Sequence, residues 1–97
     1  MAEIETAVVI GGTSGIGKAI ALRFAETGAR IVIAGRDEGR GRGAVAEAQA
    51  RGAAGATFVA VDVADSASIE ALAGAVEAEI GIPAVLVNSA GILQSGK

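Results

Sequence analysis

The chain contains no histidine, cysteine, tyrosine or tryptophan, and its whole aromatic content is two phenylalanines in 97 residues. Without cysteine there is no disulfide framework, thiolate nucleophile or thiolate metal site, and without histidine there is no imidazole base or ligand, so no metal centre is expected. The missing tyrosine removes phenol acid–base chemistry. No apolar run approaches the ~18 residues of a membrane span, and residues 1–6 are short and acidic, without the basic and apolar regions of a secretory signal. Eight basic residues against eleven acidic ones leave a formal charge of −3, and no dense basic patch is present, so nucleic acid is not an expected partner. The default expectation is a soluble, cytoplasmic protein without membrane contact.

What is present is small and apolar. Hydrophobic residues make up 52% of the chain, with alanine prominent among them, and there are 15 glycines. The core must therefore come from Val, Ile and Leu. A chain of this length allows one domain. It buries only about 60–65% of the surface it exposes when unfolded, so stability is expected to be marginal unless something covers its apolar faces.

Strand and helix patterns alternate along the chain. Thr6–Ile10 (TAVVI) is a continuous apolar run that stops at Gly11-Gly12, as a strand buried on both faces should. From Ile16 the spacing changes to Ile16, Ala19, Ile20 and Phe24, an apolar helical stripe that ends at Gly28. Residues 30–34 (RIVIA) form a second strand. Residues 37–51 form a weaker helix with an expected frayed start, because Gly39, Gly41 and Gly43 each cost about 1 kcal/mol relative to Ala. Residues 57–61 (TFVAV) make a third strand. Asp65 or Ser66 caps a third helix that carries Ile69, Leu72, Ala73, Val76 and Ile80 on one face and closes at Gly81. Pro83 blocks its continuation, and residues 84–87 (AVLV) form a fourth strand. The order β-α-β-α-β-α-β requires parallel pairing with right-handed crossovers, which is a Rossmann-like, doubly wound α/β layout or half of one.

The loop Gly11-Gly12-Thr13-Ser14-Gly15-Ile16-Gly17-Lys18 lies between the first strand and the first helix. Glycines there let the backbone approach a phosphate, and the helix start favours its negative charge. Two phosphate-binding patterns overlap in it. Gly12-x-x-x-x-Gly17-Lys18 matches the start of a nucleoside-triphosphate loop, but Ala19 lacks the hydroxyl that would hold Mg²⁺, so Lys18 fits better as an exposed helix residue. Gly11-x-x-x-Gly15-x-Gly17 is the second pattern.

With this second pattern the chain resembles a family. Thr13-Ser14-Gly15-Ile16-Gly17 after an apolar strand, Asp62-Val63 after the third and Asn88-Ser89-Ala90-Gly91 after the fourth are similar to the N-terminal half of a short-chain dehydrogenase/reductase. The departures are Ile10, where the family often has Thr, and Ser89, where it often has Asn. The resemblance covers essentially the whole chain and implies an NAD(P)-binding domain over residues 1–97, incomplete at its C-terminus, with strand order 3-2-1-4. By the same resemblance Gly11, Gly15 and Gly17 shape the pyrophosphate turn. Thr13 belongs to that loop, and Ser14 and Ile16 contact the phosphate end and the nicotinamide side. Asp62 faces the adenine amino group, with Val63 beside the ring. Asn88, Ala90 and Gly91 line the ribose–nicotinamide stretch. Asp62 also has a plain reading as a loop cap, and Asn88 as a tie between strands.

Strand two ends Ala34-Gly35-Arg36. An acid near this point, about 20 residues beyond the glycines, would select NAD. Arg36 instead offers a planar, permanent cation suited to a 2′-phosphate, with Gly35 leaving room and Asp37 adjoining. NADP(H) is expected in preference to NAD(H), which stays as the alternative. The family's hydride transfer between cofactor and a small alcohol or carbonyl substrate uses a Tyr and a Lys beyond the fourth strand. This chain has neither in place, so no catalytic residue is assigned and the 97 residues alone are expected to be inactive. They read as the cofactor-binding portion of a longer, truncated oxidoreductase that forms homo-oligomers. The alternative is a stand-alone, non-catalytic nucleotide-binding module that self-associates through the apolar edge Val85-Leu86-Val87.

Overall fold

The structure is a computed structural model, and it describes residues 5–11, 13, 15–62 and 64–89. Four parallel strands, β1 (Thr6–Ile10), β2 (Arg30–Gly35), β3 (Gly55–Ala60) and β4 (Val85–Asn88), form one sheet in the order β3-β2-β1-β4. Helices α1 (Gly15–Glu26), α2 (Glu38–Ala50) and α3 (Ser66–Ile80) make the crossovers. The expected topology is therefore the observed one. Because β2 and β3 lie on one side of β1 and β4 on the other, the chain reverses direction across the sheet at β1, and the carboxyl ends of β1 and β4 form the switch point at which open α/β sheets of this kind bind ligands.

Alternation along the buried strands divides the core in two. Val9, Ile31 and Ile33 point toward α1 and α2, where Ala21, Leu22, Ala25, Ala44 and Ala48 meet them. Val8, Val32 and Ala34 point the other way, toward Leu72 and Val76 of α3.

The buried faces of α1 and α3 both differ from the periodicity, each for its own reason. On α1 the buried residues are Gly17, Ala21, Leu22 and Ala25, whereas Ile16 is 75% exposed, Ala19 is exposed and Ile20 and Phe24 are half-buried. Small residues take the sheet-facing line because α1 approaches the sheet too closely for large ones, and the bulky side chains are displaced to its flanks. On α3, Leu72 and Val76 are buried but Ile69 is 43% exposed and Ala73 is exposed. That helix lies over β2 and β3. Among the described residues no helix covers the same face of the sheet in front of β4, and Leu86, paired with Val8, is 63% exposed there.

The start of α2 is capped rather than frayed. Asp37 sits in extended conformation and its Oδ1 accepts the Arg40 backbone N–H at 3.0 Å, which satisfies one of the donors a helix start leaves unpaired. The glycines of α2 are not equivalent. A Cβ at Gly41 would overlap the ring of Phe58 on β3, whereas one at Gly43 would meet nothing within 4 Å. Gly43→Ala should stabilise the fold by up to about 1 kcal/mol through helix propensity. Gly41→Ala should destabilise it by about 1–3 kcal/mol through overpacking. Thermal melts of the two variants should move in opposite directions, by several degrees each for a domain of this size.

Candidate functional site

Parallel pairing brings the carboxyl ends of all four strands to one edge, and four of the segments singled out in the sequence meet there. The glycine loop follows Ile10, Arg36 follows β2, Asp62 lies just beyond β3 and Asn88 ends β4 opposite Ile10. Ser14, Val63, Ala90 and Gly91 lie outside the described residues.

The loop begins with a turn that only a residue without a side chain adopts easily. Gly11 has φ +85° and Gly15, the first residue of α1, has φ +61°, both in the region that L-residues with a Cβ avoid. The Gly11 N–H donates to the Ala34 carbonyl at 2.7 Å, which anchors the loop to β2. Thr13 leans over the same strand: a Cβ at Gly35 would lie 2.9 Å from Thr13 Cγ2. The room at Gly35 is thus filled by Thr13, a contact between the loop and β2 that the sequence pattern does not reveal.

Gly17 has a third role. A Cβ there would collide with the Gly11 carbonyl and with Ser89 Oγ, so α1, the loop and the end of β4 converge on one point with no space for a methyl group. The first turn of α1 carries no acidic residue. Its partial positive charge and unpaired N–H groups are therefore not offset locally, and an anion at this helix start is favoured. A Cβ built on Gly15 meets nothing within 4 Å, and Ile16 beside it is exposed. The start of α1 is thus closed at Gly17 and open at Gly15 and Ile16.

Lys18 does not face that helix start as a free cation. It is part-exposed and its Nζ pairs with Glu47 of α2 at 2.6 Å, and this hydrogen bond holds the Glu47 carboxyl below its ordinary pKa. The ion pair joins the two helices on the same side of the sheet. The triphosphate-loop pattern thus fails at Lys18 as well as at Ala19.

The charges after β2 sort themselves. Asp37 accepts from the Arg40 backbone and lies 3.7 Å from Arg40 Nε, and Glu38 accepts from Arg42 at 2.8 Å. Arg36 is exposed and has no ion pair among the described residues. Asp37, which the sequence leaves as a competitor, is committed to capping α2.

Beyond β3, Asp62 does cap its loop: Oδ1 accepts the Ala64 N–H at 3.0 Å, and its own N–H donates to Ser68 Oγ at 2.8 Å. Asp62 remains exposed at the sheet edge. Ser68 had no signal in the motif pattern, because its partner lies on the other side of a turn. The demand for space at Gly17 gives the clearest test of this site. Gly17→Ala should destabilise the domain by about 1–3 kcal/mol, read as a lower melting temperature, whereas Ala19→Gly on the exposed side of the same helix should cost no more than about 1 kcal/mol.

Comparison with known proteins agrees with this geometry. Residues 5–97 match the sequence profile of the short chain dehydrogenase family. The chain is 46% identical over 89 residues to "Probable oxidoreductase EphD" of Mycobacterium tuberculosis, which takes in 92% of this chain and 15% of that protein. It is 46% identical over 93 residues to 2,5-dichloro-2,5-cyclohexadiene-1,4-diol dehydrogenase LinX of Sphingobium indicum, covering 95% of this chain and 36% of the relative. Among solved structures, L-sorbose reductase from Gluconobacter frateurii, complexed with NADPH and L-sorbose, superposes with a TM-score of 0.81 at 34% identity, over 87% of this chain and 32% of that one. The chain thus spans between 15% and 36% of the length of these relatives. A glycine turn after the first of four parallel strands in the order 3-2-1-4, matched over residues 5–97, makes this chain a member of the short chain dehydrogenase family.

Proposed function

We propose that these 97 residues are the NADP(H)-binding portion of an oxidoreductase that transfers hydride between the cofactor and an alcohol or carbonyl substrate. The observation that carries the cofactor preference is Arg36, unpaired among the described residues, while both neighbouring acids are paired. A 2′-phosphate next to Arg36 would gain a charge-assisted, planar contact. A free acid at that point would instead accept the ribose hydroxyls of NAD, and Asp37 is occupied as the α2 cap. The NADPH bound to L-sorbose reductase supports the same reading.

In this reading Gly11, Thr13, Ser14, Gly15, Ile16 and Gly17 hold the pyrophosphate and the apolar side of the nicotinamide. Arg36 holds the 2′-phosphate, and Asp62 and Val63 border the adenine. Asn88, Ala90 and Gly91 border the nicotinamide ribose. The nicotinamide ring, when bound, supplies the hydride chemistry. The chain's own residues orient the cofactor and supply no proton, since the Tyr that would do so in the family is not among these residues. Isothermal titration of the two reduced cofactors tests the preference. NADPH should bind at least about tenfold tighter than NADH, and Arg36→Ala should remove most of that difference, since a hydrogen bond to a charged group is worth about 1.5–3 kcal/mol. Equal affinities in the wild type would overturn the preference.

A second reading concerns assembly. Among the described residues no strand pairs with the outer edge of β4 at residues 85–87, none of these three is charged, and Leu86 is 63% exposed. Edge strands are ordinarily protected by charge, bulges or cover. We propose that the chain self-associates through this edge, two copies meeting about a twofold axis. Light scattering at tens of micromolar should report a dimer that Leu86→Lys converts to a monomer. A monomeric wild type would overturn the proposal.

A further inference from the structure

The hydroxyl of Ser89 stands at the point where three separate segments converge. Its Oγ lies 3.3 Å from the carbonyl oxygens of both Ile10 and Gly11, and the Ser89 N–H donates to the Ile10 carbonyl at 3.0 Å. The same oxygen occupies the space that a side chain at Gly17 would need. Ser89 is half-buried. Its single hydroxyl hydrogen is shared between two acceptors of the loop's first turn, and Ile10 has no polar side chain to add a tie of its own.

We infer that Ser89 is the positioning residue of the phosphate loop: its hydroxyl holds the Ile10 and Gly11 carbonyls against the end of β4 and so fixes where the chain turns out of β1 relative to Gly17 at the α1 start. The inference rests on the cofactor-binding reading above. Ser89 touches the loop from behind and acts through it.

The consequence is selective for the part of the ligand that the loop holds. Ser89→Ala keeps the size and removes the hydroxyl, so NADPH should bind about fivefold more weakly, the effect expected for one neutral hydrogen bond. Adenosine 2′-monophosphate carries the group that Arg36 addresses but has no pyrophosphate. Its affinity, followed by NMR titration, should stay the same. Ser89→Thr keeps the hydroxyl and should restore NADPH binding to within about twofold of wild type. The melting temperature of each variant shows that the comparison is made on folded protein, and a purely structural role would lower it and weaken both ligands alike. An NADPH affinity unchanged in Ser89→Ala, or an equal loss for both ligands, overturns the role assigned to Ser89. Failure of the wild type to bind NADPH at all would instead overturn the cofactor reading, and this inference with it.

Discussion

The architecture of the site depends on the absence of one methyl group. At Gly17 the first turn of α1 rests against the Gly11 carbonyl and the Ser89 hydroxyl with no room for a Cβ. Because a helix is rigid over its length, that contact also fixes how near the rest of α1 lies to the sheet. Ala21 and Ala25 follow Gly17 at successive turns and are fully buried, so the line of contact consists of the smallest side chains. Close packing of this kind exchanges bulk for many short-range contacts, each individually weak but collectively substantial. It also explains how an alanine-rich chain with two phenylalanines builds a dense core on that face.

The sheet is held at β4 by hydroxyl groups at both ends. Thr6 Oγ1 accepts the Ala84 N–H at 2.9 Å where the strand begins, and Ser89 Oγ reaches the Ile10 and Gly11 carbonyls where it finishes. Between them the register Ala7↔Val85 to Ile10↔Asn88 runs over four pairs. A strand this short gains little from its own ladder, so fixing both ends sets the register and with it the position of Asn88 relative to the glycine turn. The face toward α1 is closed over Val87, which packs against the same cluster as Val9. The face toward α3 stays open at Leu86. The two sides of β4 therefore differ, one part of the core and the other a surface.

The number and type of elements and the glycine turn were legible in the sequence because they rest on local signals: uninterrupted β-branched runs, glycines at the ends of elements and cap residues; the strand order was legible only through the family resemblance. Which residues face the sheet was less legible. The apolar spacing of α1 selects Ile16, Ile20 and Phe24, but the contact at Gly17, set by Gly11 and Ser89 from distant parts of the chain, rotates the buried line onto Gly17, Ala21 and Ala25. Ile69 fails for a different reason, since periodicity registers an apolar face whether or not another element covers it. At the site, the types and order of the residues were visible, but their commitments were not. Thr13 over Gly35, Asp62 under Ala64 and Ser68 beside Asp62 are contacts across turns, and a one-dimensional pattern carries no record of them.

Those commitments settle the electrostatics of the carboxyl edge. Lys18, nearest to the glycine turn in sequence, is drawn to Glu47, and Glu47 is also 4.0 Å from Arg51, which pairs with Glu26 at 3.0 Å. This network binds α1 to α2 and takes a mobile cation away from the helix start. After β2, Asp37 and Glu38 are each neutralised by an arginine further along α2, which removes the acids that would repel a phosphate. Nearest the glycine turn, this edge then offers the fixed dipole of α1 and the guanidinium of Arg36, after adjacent strands, with the exposed Asp62 farther along beyond β3. A helix dipole falls off within a turn and is fixed in direction, whereas a guanidinium on a long stem can bring its planar fork to the ligand from more than one position. The first therefore demands accurate placement of the loop, which Gly11, Gly17 and Ser89 provide through backbone geometry. The second tolerates movement, in keeping with the exposed position of Arg36. In the proposed reading, selection between dinucleotides and retention of either one therefore fall to separate elements of the fold, and a change at exposed Arg36 leaves the packing at Gly17 intact.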